Sequence, residues 1–266
     1  MAKVLGESGR YASQEEIKKF RQLYLVVILV MCVLGTIQGF VLSISFIVQK
    51  RHLFESTLIE LILLGLICLV GRIGFRELNK IEKERMAMRK GATGENVVAQ
   101  ILKDFPESFC VINGLTTPFG DLDHVVIGPT GVYVLDTKNW KGVVSADGKG
   151  ELLLNGKPTD KPTSKPFVIR MMNVKEKIKT LCNLDPFFKA VLVFPIARID
   201  ARWGETGSAN CIREDQLWDY IVENEITTKL DKAAVEKLSQ AFLALATMDK
   251  EFQPSAIKSN APRPAP

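Results

Sequence analysis

The sequence predicts an α/β domain, a mixed sheet flanked by helices, preceded by an N-terminal two-helix transmembrane hairpin. Three observations carry that prediction. Apolar residues are concentrated near the N-terminus: the 26 residues from Leu23 to Val48 include no charge, and a second apolar run from Thr57 to Gly71 is broken only by Glu60. Beyond Arg89 the chain turns polar, and short apolar stretches are punctuated by Gly, Pro, Asn and Asp, as in a sheet. Other segments carry apolar residues at helical spacing.

Residues 1–22 are expected as a cytoplasmic N-terminal tail and residues 23–76 as the hairpin. At about 1.5 Å per residue the first run exceeds a hydrocarbon core of about 30 Å, and it is longer than the roughly 7–15 apolar residues of a signal peptide. The second run is shorter and spans when Phe54 and Arg72 stand at its edges, with Arg72 snorkelling to the headgroups; a re-entrant segment is the alternative. Glu60, close to the start of that run, is placed at the interface. Five Lys or Arg precede the first run, two lie between Gln49 and Ser56, and seven lie between Arg72 and Lys90. By the positive-inside rule both termini and the soluble part face the cytoplasm. Cys32 and Cys68 fall in the apolar runs, and Cys110, Cys182 and Cys211 have no paired spacing, so neither a disulfide framework nor a zinc site is expected.

Residues 77–90, charged and free of Gly and Pro, read as a helical stalk continuing the second run. Residues 91–222 read as the soluble domain. It opens with a helix that has Thr93 as N-cap and Val97, Val98, Ile101 and Leu102 on one face. Strands are expected at Phe109–Asn113, Leu122–Gly128, Val132–Thr137, Val143–Ser145 and Leu152–Leu154, then a helix from Pro166 to Cys182. The continuous apolar stretch Phe188–Phe194 predicts a central strand covered on both faces. Helices follow at Glu214–Val222 and Asp231–Met248, the latter within a C-terminal helical segment, residues 223–252. Residues 253–266, with four prolines, are expected to be disordered.

The segment GDLDHVVIGPTGVYVLDTKNWKG, Gly120 to Gly142, holds the residues with chemistry. If Pro129 and Thr130 form the loop of a hairpin, Val126 faces Tyr133, Val125 faces Val134, and Asp123 faces Asp136. Directly opposed side chains share a face with Cβ atoms about 4.5–5.5 Å apart, so two carboxylates are forced together. A longer loop would shift this register. Asp121 and Lys138 lie on the same face, which is otherwise Val125, Ile127, Val132 and Val134. Facing carboxylates require a divalent metal, a nearby Lys or a shared proton, and oxygen-only ligation suits magnesium or manganese. Read alone, both acids fit solvated strand ends, and Glu95 fits a carboxylate favourably placed at a helix N-terminus. His124 points to the other face and is read as structural, and Trp140 and Gly142 as packing and turn residues.

Gly94-Glu95, Leu122-Asp123-His124, the Gly131–Val134 strand, Asp136-Thr137-Lys138 and Gly142 together resemble the nuclease-related domain family, which belongs to the PD-(D/E)XK nuclease superfamily. The likeness covers Gly91 to about Pro195. It implies a restriction-endonuclease-like mixed sheet in which Glu95, Asp123 and Asp136 hold Mg2+ (or Mn2+) and Lys138 is the catalytic lysine, orienting water or stabilising charge on the phosphate. Two departures stand out: the second acid is Asp where Glu is frequent, and Pro166–Thr180 lacks the Gln common in the helix after a proline.

Charge is uneven. From Lys138 to Lys189 eleven Lys or Arg stand against five Asp or Glu, whereas Arg213 to Glu251 has five against nine. Lys157, Lys161 and Lys165, in a loop rich in Pro and Gly, are expected to contact nucleic-acid phosphates, and a basic surface near anionic lipid is the alternative. The expectation is a membrane-anchored metal-dependent nuclease acting on DNA, or RNA, in contact with the bilayer through the hairpin and open to oligomerisation. The competing expectation is a membrane-tethered nucleic-acid-binding or scaffold protein without turnover.

Overall fold

The computed structural model describes residues 1–8, 10–48, 53–201, 209–224 and 229–247, apart from some side chains of the two long helices, Glu60 among them. Expectations for Glu60, the Lys50-Arg51 connection and the tail at 253–266 lie outside the described residues. The chain divides into two compact units, one made of Met1–Tyr11 with Lys90–Pro266 and the other of Ala12–Arg89.

The unit Ala12–Arg89 is helical. Helix α1, Arg10–Val48, holds one stretch long and apolar enough to cross a membrane, Ile17–Val41, with a mean hydropathy of 2.3. That stretch starts six residues before the expected Leu23 and takes in Lys18, Lys19 and Arg21. Helix α2 runs unbroken from Leu53 to Lys103, so the second apolar run, the stalk and the first helix of the domain are one element. Thr93 is therefore inside a helix and is not an N-cap. Gly91 and Gly94 each cost about 1 kcal/mol in a helix interior, too little to break the helix where tertiary packing favours it. Among the described residues α1 is the one helix that passes as a span, and a second span is not established by composition.

The other unit is built on a six-stranded mixed sheet in the order β1-β2-β3-β4-β8-β10. Its strands are β1 (Lys3–Gly6), β2 (Cys110–Thr117), β3 (Gly120–Gly128), β4 (Gly131–Thr137), β8 (Phe188–Phe194) and β10 (Asn210–Arg213). The β2–β3 and β3–β4 pairs are antiparallel, whereas β1–β2, β4–β8 and β8–β10 are parallel. A smaller sheet, in the order β7-β6-β5-β9, consists of β5 (Val143–Ala146), β6 (Leu152–Leu154), β7 (Lys157–Pro158) and β9 (Arg198–Ile199).

Period-2 alternation divides the main sheet into two cores. Val125, Ile127, Val132, Val134, Ala190, Leu192 and Phe194 pack with α3 (Ser164–Cys182) and α5 (Lys232–Thr247). Val126, Tyr133, Leu135, Val191 and Val193 pack with Val98 and Leu102 of α2 and with Leu217 and Ile221 of α4 (Leu217–Ile221). β8 is thus covered on both faces, as its unbroken apolar run predicts, and lies between β4 and β10.

The ends of the unit differ from expectation. Residues 1–22 are not simply a tail, because Lys3–Gly6 pairs in parallel with Cys110–Asn113 and buries Leu5. α5 is part of the core, with Leu238, Phe242 and Leu245 fully buried, so the unit extends well past residue 222.

Candidate active site

The hairpin register is the one the alternation dictates. Val125 pairs with Val134, Val126 with Tyr133, Ile127 with Val132 and Gly128 with Gly131, leaving Pro129 and Thr130 as the loop. Neither loop residue adopts a positive φ, and Gly131, at φ 117, takes the turn's unusual backbone conformation. A Cβ there would come within 2.8 Å of the Phe187 carbonyl oxygen. The ladder ends at His124–Leu135, one step short of Asp123 and Asp136, which lie close enough for the charge of one to act on the other.

Backbone and side chain lock this end of the hairpin. The Thr137 N–H donates to Asp123 Oδ2 at 2.6 Å, and the Lys138 N–H donates to the Val193 carbonyl at 2.8 Å. Lys138 Nζ is 2.6 Å from Asp136 Oδ2. Burial, the adjacent Asp136 and the charge of Glu95 push the Asp123 carboxyl well above the usual range, against the opposing pull of Lys138 and the Thr137 N–H. Burial works against the Lys138 ammonium, yet Asp136 and Asp123 hold it above the ordinary lysine value, so it is a cation at neutral pH. The close approach of like charges is thus partly answered by a lysine.

Glu95 is carried in by α2. Asn139, next in the chain after Lys138, donates from Nδ2 to the Lys90 carbonyl at 2.7 Å. Gly94 lies against the same side chain, where a Cβ would sit 2.7 Å from Asn139 Cβ. Gly94-Glu95 is thus a point of close approach followed by an acid whose charge reaches Asp123. Asn139 was not among the expected site residues. Its contact is with a backbone carbonyl 49 residues earlier, which no local pattern signals.

Beside the acids is a cleft of about 640 Å3 lined by Asp136, Lys138, Trp140, Lys161, Phe167 and Arg170, among others. Lys161 is in this cleft, while Lys157, in β7, and Lys165, in the first turn of α3, are exposed and are not part of its lining, so the three lysines do not sit on one loop as expected. Arg170 also went unforeseen. Glu151 fixes the start of α3: its carboxylate accepts the N–H groups of Thr163, Ser164 and Lys165 at 2.9, 3.0 and 2.9 Å and so caps the helix.

A family model covers the stretch of chain that holds these residues. Residues 90–195 match the nuclease-related domain. The resemblance read from the motifs therefore holds, and the PD-(D/E)XK superfamily is the wider class of that domain. A relative from Bacillus anthracis, described as an uncharacterized protein, is 34% identical over 101 residues, covering 36% of this chain and 44% of its own length. The chain thus spans less than half of that curated relative. No solved structure matches.

The nuclease-related domain points to a divalent metal in general terms. Asp123 and Asp136 offer the hard oxygen donors and excess negative charge that such a cation suits. Among the described residues, however, no three His, Cys, Asp or Glu side chains form a ready metal-binding group. The donor chemistry fits, with Glu95 near enough to be felt by Asp123 but not closing a compact triad with the pair.

Proposed function

We propose that this chain is a membrane-anchored, metal-dependent phosphodiester hydrolase acting on DNA, or RNA, at the cytoplasmic face. The observation that carries this reading is the close approach of Asp123 and Asp136 just past the end of the hairpin ladder, with Lys138 paired to Asp136 at 2.6 Å beside an open cleft. Asp123, Asp136 and Glu95 are the residues that would hold magnesium or manganese, which supplies polarisation of the phosphodiester and an acidified water. Lys138 is charged, so its role is to neutralise negative charge growing on the phosphate rather than to accept a proton. The Thr137 N–H fixes the Asp123 carboxylate and the Asn139 amide fixes the α2 backbone, which keeps the acids in place without substrate. Lys157, Lys161 and Lys165 hold the nucleic-acid backbone, Lys161 from within the cleft.

Two features support anchoring by a two-span hairpin. Leu25, Leu29, Met31 and Phe40 of α1 are exposed, as side chains facing lipid would be. β1 pairs within the same compact unit that resumes at Lys90, which supports an even number of crossings by the intervening segment. If α1 crosses once, α2 crosses back. The excess of Lys and Arg before the first run and between Arg72 and Lys90 supports a cytoplasmic position for that unit.

Cleavage of plasmid and single-stranded substrates by the full chain in detergent, in magnesium, manganese or chelator, tests the reading: scission in metal and none in chelator supports it. The lack of a Gln in α3 favours the second reading, a nucleic-acid-binding or scaffold protein without turnover. Salt-dependent binding that ignores magnesium and produces no scission would select that second reading.

A further inference from the structure

Arg170 projects from α3 into the cleft that also holds Asp136, Lys138 and Lys161. Its Nη1 donates to the Asp121 carbonyl oxygen at 2.5 Å, and its Nε lies beside Gly120, where a Cβ would be 3.1 Å away. Among the described residues Arg170 pairs with no carboxylate. It is half-buried and within electrostatic reach of Lys138, whose charge it opposes. Lys138 is paired with Asp136 in this cleft, whereas Arg170 is held by a neutral carbonyl and keeps its charge available to an anion.

A guanidinium has five N–H donors in a planar fork suited to phosphate, and a single neutral carbonyl uses one of them. A purely structural link between α3 and the start of β3 has no need of a positive charge, since a neutral amide donates the same hydrogen bond.

We infer that Arg170 contacts a phosphate of the nucleic-acid backbone in this cleft, next to the acid pair. This deepens the proposed function and rests on it. Arg170 acts by its charge and its fork, and Lys138 and Arg170 together neutralise a phosphate. The contact is independent of sequence, because phosphates carry no base information.

The test compares wild type, Arg170→Gln and Arg170→Lys as full chains in detergent. Binding of a labelled single-stranded oligodeoxynucleotide is followed by fluorescence anisotropy across about 50–200 mM salt, in chelator and in calcium. Gln retains a donor for Asp121 but removes the charge. The expected result is binding about 10-fold weaker at low salt for Arg170→Gln, with the slope of log K against log salt reduced by about 0.7. Arg170→Lys should restore the slope, and all three chains should melt at the same temperature. Wild-type slope and affinity in Arg170→Gln would overturn the inference while leaving the nuclease reading in place. Weaker binding with an unchanged slope and a lower melting temperature would also overturn it, marking a structural link. Failure of wild type to bind at all would overturn both the inference and the reading beneath it.

Discussion

His124 follows Asp123 in the chain but lies on the other face of β3, where its Nδ1 is 2.8 Å from Asn113 Oδ1 and no solvent reaches it. Burial lowers its pKa to about 3. The unfolded chain therefore binds a proton between about pH 6.5 and 3 that the folded chain refuses, and stability is complete above that window and falls as pH drops through it. Denaturant titrations at pH 7 and pH 5 should show this loss, and His124→Gln should reduce it. An equal loss in the variant would locate the effect elsewhere. Asp123 has the opposite sign. Its raised pKa means that, without a bound cation, stability falls as pH rises through the folded value. These side-chain placements were readable from sequence because a two-residue loop and the strand period leave one register, which sends Asp123 to one face and His124 to the other. Arg170 and Asn139 were not readable, since their roles come from elements brought together only by folding.

At the scale of elements, α3 illustrates what sequence reasoning misses. Thr163 precedes the helix and makes no side-chain cap; the N–H groups are met by Glu151, 12 to 14 residues earlier. Burial resists ionisation of Glu151, yet those N–H bonds hold its carboxyl below the usual value, so its contribution is present at neutral pH and lost in acid. Glu151→Ala should destabilise the unit by about 1–2 kcal/mol in urea titrations at pH 7 and by less near pH 3; no change at pH 7 would refute the cap. The strands with clear alternation or long apolar runs, β3, β4 and β8, were legible. β1, β7, β9 and β10 are two to four residues long and owe their conformation to a partner strand rather than to any local pattern. The helix start at Thr93 was misread because a capping residue and two glycines resemble a boundary, whereas α2 runs through them to carry Glu95 to the sheet.

For the whole molecule, β1 has the widest consequence. Four residues at the very start of the chain are paired in the same unit as the acid pair, so the long helices leave from that unit and return to it. The two-span reading predicts that a cysteine replacing Lys50 is labelled from outside the cell by a membrane-impermeant maleimide, while one replacing Lys90 is labelled only after permeabilisation. Equal protection of both positions would contradict two crossings. A soluble fragment lacking the first eight residues would also lose the strand that covers the edge at Cys110–Asn113 and the buried Leu5, and is a poor stand-in for the full chain.

The central claim is that the adjacent aspartates and their lysine make a phosphodiester-cleaving site. It is tested most directly by the single-turnover cleavage rate of the full chain in magnesium for wild type, Asp136→Asn and Lys138→Ala, with circular dichroism on each. Losses of at least about 100-fold in both variants, with folding retained, are the predicted result. Cleavage at the wild-type rate in both folded variants would contradict the account.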